Sequence, residues 1–123
     1  MLVIEDDADT LEMMRVLCDA QNIKVTGAQT AEEAFTLLND EPPDLIISDI
    51  TLPGMDGHEL ARKLRTDARV AALPMIAITG LATDADRNIA LKAGFDAHLS
   101  KPINYGEMFE LVRKLTRHAA SGN

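Results

Sequence analysis

A chain of 123 residues has room for one compact domain with a modest core and none for a separate effector unit. Its 46% apolar and 26% charged residues exclude a disordered chain, no apolar run approaches the roughly 20 residues that span a bilayer, and no signal peptide opens it, which reads as cytoplasmic exposure without membrane insertion. A formal charge of −8, from 12 basic and 20 acidic residues, repels nucleic acid and anionic lipid over roughly a Debye length, so direct DNA binding is not expected.

The first apolar run, Leu2 to Ile4, is a predicted strand that delivers Glu5 and Asp6 to its carboxyl end; Asp7, the third acid, is expected to face solvent. Leu11, Met14 and Cys18 then share one helical face, which makes Cys18, the only cysteine, a buried inert thiol without a role. Met13, Met14 and Met108 are expected to fill gaps in the core. Lys24 to Ala28 is the second strand, and polar Lys24 and Thr26 mark it as an edge. Thr30 with Glu33 has capping-box spacing and opens a helix whose apolar stripe is Ala34, Leu37 and Leu38.

Leu45 to Ser48 is the third strand and runs into Asp49. The stretch from Asp49 to Gly57 holds Pro53, Gly54 and Gly57, so the chain turns sharply there. Met75 to Thr79 is the fourth strand, and Gly80 keeps the space beside Thr79 small-sided. Thr83 with Asp86 opens the next helix, and Ala97 to Ser100, with His98, is the fifth strand and a second edge. Lys101 and Pro102 follow it. Asn104 with Glu107 opens the last helix, in which Met108, Leu111, Val112 and Leu115 make one apolar face, while Arg113, Lys114, Arg117 and His118 place positive charge toward its negative end.

Strands and helices alternate throughout, which predicts an α/β fold: a single doubly wound (βα)5 domain on a five-stranded parallel sheet. Continuous apolar runs make strands one, three and four central, and polar edges at two and five give the flavodoxin-like order 2-1-3-4-5. The switch point then falls between strands one and three, where Glu5, Asp6 and Asp49 converge at the carboxyl ends.

Carboxylates brought together there repel by about 4 kcal/mol per pair at roughly 4 Å and an effective dielectric near 20, so they need a shared proton or a cation. Oxygen ligands without histidine or thiolate favour Mg2+. Lys101 supplies an ammonium and Thr79 a hydroxyl for phosphoryl oxygens, which leaves Asp49, ending a central strand opposite that pair, as the candidate nucleophile for an acyl phosphate.

Glu5-Asp6-Asp7 after the first strand, the spacing of Asp49 to Pro53 and to Met55-Asp56-Gly57, Thr79-Gly80, and Lys101-Pro102 together resemble the receiver domain of bacterial two-component response regulators, over essentially the whole chain. The resemblance implies that residues 1–119 form a receiver, with 120–123 a tail or the start of a linker. It implies that Asp49 takes a phosphoryl group from a histidine kinase or a histidine phosphotransfer protein. Mg2+ would be held by Asp6, Asp49, the Thr51 backbone carbonyl and, through water, Glu5. It further implies a cis peptide between Lys101 and Pro102, switching through Thr79, and catalysis of no reaction beyond the domain's own phosphorylation and dephosphorylation. The side formed by the helix after Thr79, the last strand and the last helix is the family's usual dimerisation face. One hydrogen bond from Thr79 to a charged group contributes about 1.5 to 3 kcal/mol, whereas moving a population from 1:99 to 99:1 needs roughly 5.5, so Lys101, the metal and the segment after Thr79 must share the bias.

Some positions depart from the family. His98 stands where a tyrosine or phenylalanine usually turns inward with the threonine; a rotating imidazole and an edge-strand histidine with no switching role are both open readings. Leu81 replaces a polar residue that handles water in some relatives, which implies slower dephosphorylation than in Leu81→Glu. Thr10, Glu12 and Arg15 read equally as solvated surface or as part of a kinase-docking face. An aspartyl-phosphate phosphohydrolase, the main rival, generally has a second acid two residues after its nucleophile; here that residue is Thr51. A receiver-like interaction module without chemistry would be expected to lack Asp49 or Lys101, and a flavin carrier would find its phosphate repelled by Glu5-Asp6-Asp7. The stretch from Leu73 to Ile103 resembles the receivers of hybrid histidine kinases more than those fused to DNA-binding domains.

Overall fold

The computed structural model describes residues 1–51, 57–80 and 83–121, with side chains through Thr116. In chain order the elements are β1 (Leu2–Ile4), α1 (Ala8–Asp19), β2 (Thr26–Ala28), α2 (Ala31–Leu37), β3 (Ile46–Asp49), α3 (Gly57–Thr66), β4 (Met75–Thr79), α4 (Asp84–Ala93), β5 (Ala97–Ser100) and α5 (Tyr105–Ser121). The strands form one parallel sheet in the order β2-β1-β3-β4-β5, as the apolar and polar strand patterns require.

Because successive strand residues face opposite sides, the core divides into two layers. On one face Leu2, Ile4, Ile46, Met75 and Ala77 pack with Ala34, Leu38, Leu60, Leu64, Ala90 and Ala93 of the α2, α3 and α4 side. On the other, Val3, Ile47, Ile76, Ile78 and Leu99 pack with Leu11, Met14 and Cys18 of α1 and Met108 and Val112 of α5. Each of the larger side chains, once buried, stabilises the fold by about 1.5–3 kcal/mol before entropy is counted. The stripes expected on α1 and α5 are thus the packed faces, but Met13 is not core: it is 55% exposed on the outer side of α1.

Helix starts follow the predicted caps. Thr30 Oγ1 accepts from Glu33 N–H at 3.1 Å, Thr83 Oγ1 from Asp86 N–H at 3.2 Å, and Asn104 Oδ1 from Glu107 N–H at 3.0 Å. The Glu33 carboxylate reaches the N–H of Gln29, one residue before the cap. Boundaries differ slightly elsewhere. β2 begins at Thr26 rather than Lys24, because β1 starts at Leu2 and Thr26 is the residue paired with it. β3 includes Asp49, and α5 runs to Ser121, into the stretch expected as a tail. Arg117 and His118 side chains lie outside the described set.

Candidate phosphoryl-acceptor site

The carboxyl edge of the sheet carries the site. β1 ends into Glu5, whose N–H donates to Ala28 O at 2.9 Å, so the ladder with β2 fixes the backbone that presents Glu5 and Asp6. Asp49 is the last residue of β3, paired with Ile78 of β4 and only 2% exposed. Thr79 ends β4 at 8% exposure, and Lys101 follows β5 directly.

Lys101 Nζ donates to Asp49 Oδ2 at 2.6 Å, and the Thr51 backbone N–H donates to Asp49 Oδ1 at 2.8 Å, so both oxygens of the carboxylate are oriented. Lys101 is itself placed by its backbone N–H, which donates to Thr79 O at 2.9 Å. The peptide bond from Lys101 to Pro102 is cis. The hydrogen bond to Asp49, with the charges of Asp49, Glu5 and Asp6, holds the Lys101 ammonium above its ordinary value.

One oxygen from each of Glu5, Asp6 and Asp49 lies within 4.8 Å of the others. Glu5 is 1% exposed, and its Oε2 is buried without a hydrogen-bond partner among the described residues. Burial first, then the hydrogen bond and the charge of Asp49, push the Glu5 carboxyl up to about 7. A proton held between Glu5 and Asp49, or one hard cation, supplies what this cluster lacks; the all-oxygen donor set with an orphaned buried oxygen fits Mg2+.

Gly57 explains how α3 sits so near. Its N–H donates to Ile50 O at 2.6 Å, and a Cβ there would lie 2.4 Å from Ile50 Cα and 2.8 Å from Asp49 O. Only glycine lets α3 begin against the backbone that presents Asp49. A Cβ at Gly80, by contrast, would meet open space. Asp7 is exposed and accepts from the Thr10 hydroxyl at 2.5 Å, so it faces solvent as expected.

His98 is half-buried on edge strand β5, opposite Ala77, and lies on the sheet face away from neighbouring Leu99 and α5. Pro53, Met55, Asp56 and Leu81 fall outside the described residues. Sequence reasoning missed Gln29, whose Nε2 donates to Asp6 O at 3.4 Å, and the Thr51 N–H, having considered only the Thr51 carbonyl. A polar residue just after β2 was the available signal for Gln29; nothing in the residue type signals a backbone donor.

The sequence pattern of the response regulator receiver domain matches residues 1–113. The chain belongs to the response regulator receiver domain family. Among curated relatives of this receiver domain is response regulator Rre1 of Synechocystis, 37% identical over 125 residues, which cover all of this chain and 54% of Rre1. The receiver thus spans about half the length of that relative. A CheY-like receiver domain structure from Methanospirillum hungatei superposes with a TM-score of 0.90 at 27% identity, over 99% of this chain and 96% of that one. The receiver domain of sensor histidine kinase PA1611 from Pseudomonas aeruginosa, solved with a magnesium ion in its active-site cleft, gives 0.84 at 25% identity over 94% of each chain.

Proposed function

We propose that this receiver domain is a phosphoacceptor switch: an Asp49 carboxylate oxygen attacks the phosphorus of a phosphohistidine on a histidine kinase or phosphotransfer protein. The new bond is the P–O bond of an acyl phosphate. The P–N bond breaks, its electron pair returns to the imidazole nitrogen, and that nitrogen takes up a proton. The observation that carries this reading is the 2.6 Å contact between Lys101 Nζ and a nearly buried Asp49 carboxylate beside two further acids.

Lys101, 41% exposed at its side chain, is reachable from outside and can turn from Asp49 to an incoming phosphoryl oxygen. The Thr51 N–H holds the carboxylate plane during attack. Glu5, Asp6 and Asp49, with the Thr51 carbonyl, are the residues that would hold Mg2+. When bound, it supplies positive charge that offsets both the carboxylates and the phosphoryl group. Thr79 then hydrogen-bonds the phosphorylated residue and carries the change into the segment that leads to α4, with His98 as the further candidate on the neighbouring strand.

The test is direct. With Mg2+ and a small acyl phosphate, the intact protein should gain the mass of one phosphoryl group, labile to hydroxylamine and absent in Asp49→Asn. Equal labelling of that variant would move the acceptor elsewhere.

A further inference from the structure

α4 is held very unequally at its two ends. At its C-terminus the Arg65 side chain of α3 uses its whole guanidinium: Nε and Nη2 donate to Gly94 O at 2.9 and 2.6 Å, Nη1 to Ala71 O and Leu73 O at 3.1 and 2.6 Å, and Nη2 also to Asp96 Oδ2 at 2.9 Å. Asp96 Oδ2 in turn accepts from Met75 N–H at 2.8 Å, which ties the cluster to the first residue of β4. Gly94 is fitted to this arrangement twice over. Its φ is 125°, and a Cβ would stand 2.8 Å from Arg65 Cγ.

Among the described residues, the other end has no comparable tie. Its capping contacts, Thr83 with Asp86 and Asp84 with Arg87, stay within the helix and are exposed. The buried residues of α4 are Ala90 and Ala93, both in its second half, and alanine methyls interlock little with the layer beneath. Thr79 lies only a few residues before the untied end.

We infer that Arg65 is the pivot of the switch: it fixes the C-terminal end of α4 to α3 and β4, so that a change at Thr79 swings the N-terminal end about Gly94 instead of displacing the whole helix. This rests on the phosphoacceptor reading for its trigger, but the unequal anchoring exists without phosphorylation. Arg65 touches none of the reacting groups and acts as a positioning residue.

Amide hydrogen exchange on the unmodified domain tests the anchoring first. Amides of Ala93 to Phe95 should be protected roughly tenfold or more beyond those of Arg87 to Ile89, the reverse of ordinary end fraying. Arg65→Lys keeps the charge but not the fork, and should remove that difference, as should the milder Asp96→Asn. A gradient running the other way in wild type, or one unchanged in both variants, overturns the pivot.

On Asp49-phosphorylated protein, the exchange changes should be confined to 83–89 in wild type and spread through 90–96 in Arg65→Lys. Labelling of Asp49, read by intact mass, should be equal in the two. Equal change at both ends of α4 in wild type also overturns the pivot. Failure of Asp49 to label at all would count against the phosphoacceptor reading, and the unmodified protein would still decide the anchoring.

Discussion

Glu5 sits where one proton decides the balance of the whole acidic cluster. Its carboxyl is raised to about 7 in the folded protein, chiefly by burial and then by Asp49, from an ordinary value near 4.5. Between those values the folded state binds more protons than the unfolded one, so this group's contribution is full below about pH 4.5, falls as pH rises toward 7 and is flat above. In chelator-treated buffer, wild type should therefore lose stability relative to Glu5→Gln across that window, by about 3 kcal/mol at most, read by urea denaturation at a series of pH values. A constant difference between the two proteins would mean that Glu5 titrates normally. Glu5, Asp6, Asp49, Thr79 and Lys101 were legible in the sequence because each ends or directly follows an apolar run, and a parallel sheet gathers such ends on one edge. The Thr51 N–H and the closeness of Gly57 to Ile50 were not, since both depend on how two backbone segments approach.

At the scale of the elements, side-chain caps set where the helices begin, and they were readable for the same reason that they work: a short acceptor three residues before a free N–H. Thr30→Ala and Thr83→Ala should each cost about 1 kcal/mol, or roughly 3–6 °C of melting temperature, and should add in the double variant because the two caps share no partner. Gly57→Ala should cost more than either, since the added methyl meets backbone rather than a side chain that can turn aside. Calorimetry of the four variants checks the order. The start of β2 was less legible: Lys24 and Val25 suit a strand, but Leu2 of the neighbouring strand pairs no earlier than Thr26. Met13 misled for a different reason, because its neighbour Met14 faces the core and one helical step turns it to solvent.

Over the whole molecule, charge is distributed unevenly. Fourteen of the 20 acidic residues but only two of the 12 basic ones fall in the first 61 positions, which build the β2-β1-β3 side of the sheet. Crowded like charge of this kind is relieved by salt, so the melting temperature should rise modestly with NaCl. At equal ionic strength MgCl2 should raise it further, by about 1.4 kcal/mol of stability at ten times the dissociation constant. Asp6→Asn and Asp49→Asn should abolish the extra part and keep the NaCl response; an unchanged Mg2+ increment in both variants would place any bound ion elsewhere. The order of the strands was readable because burial on both faces leaves its mark on composition, whereas the anchoring of α4 depends on one arginine whose partners are carbonyls in two separate segments and the Asp96 carboxylate. The site joins the first strand to the last. Translation therefore supplies Asp6 and Asp49 well before the lysine that pairs with Asp49, and a product stopped anywhere ahead of β5 leaves the Asp49 carboxylate without its ammonium partner.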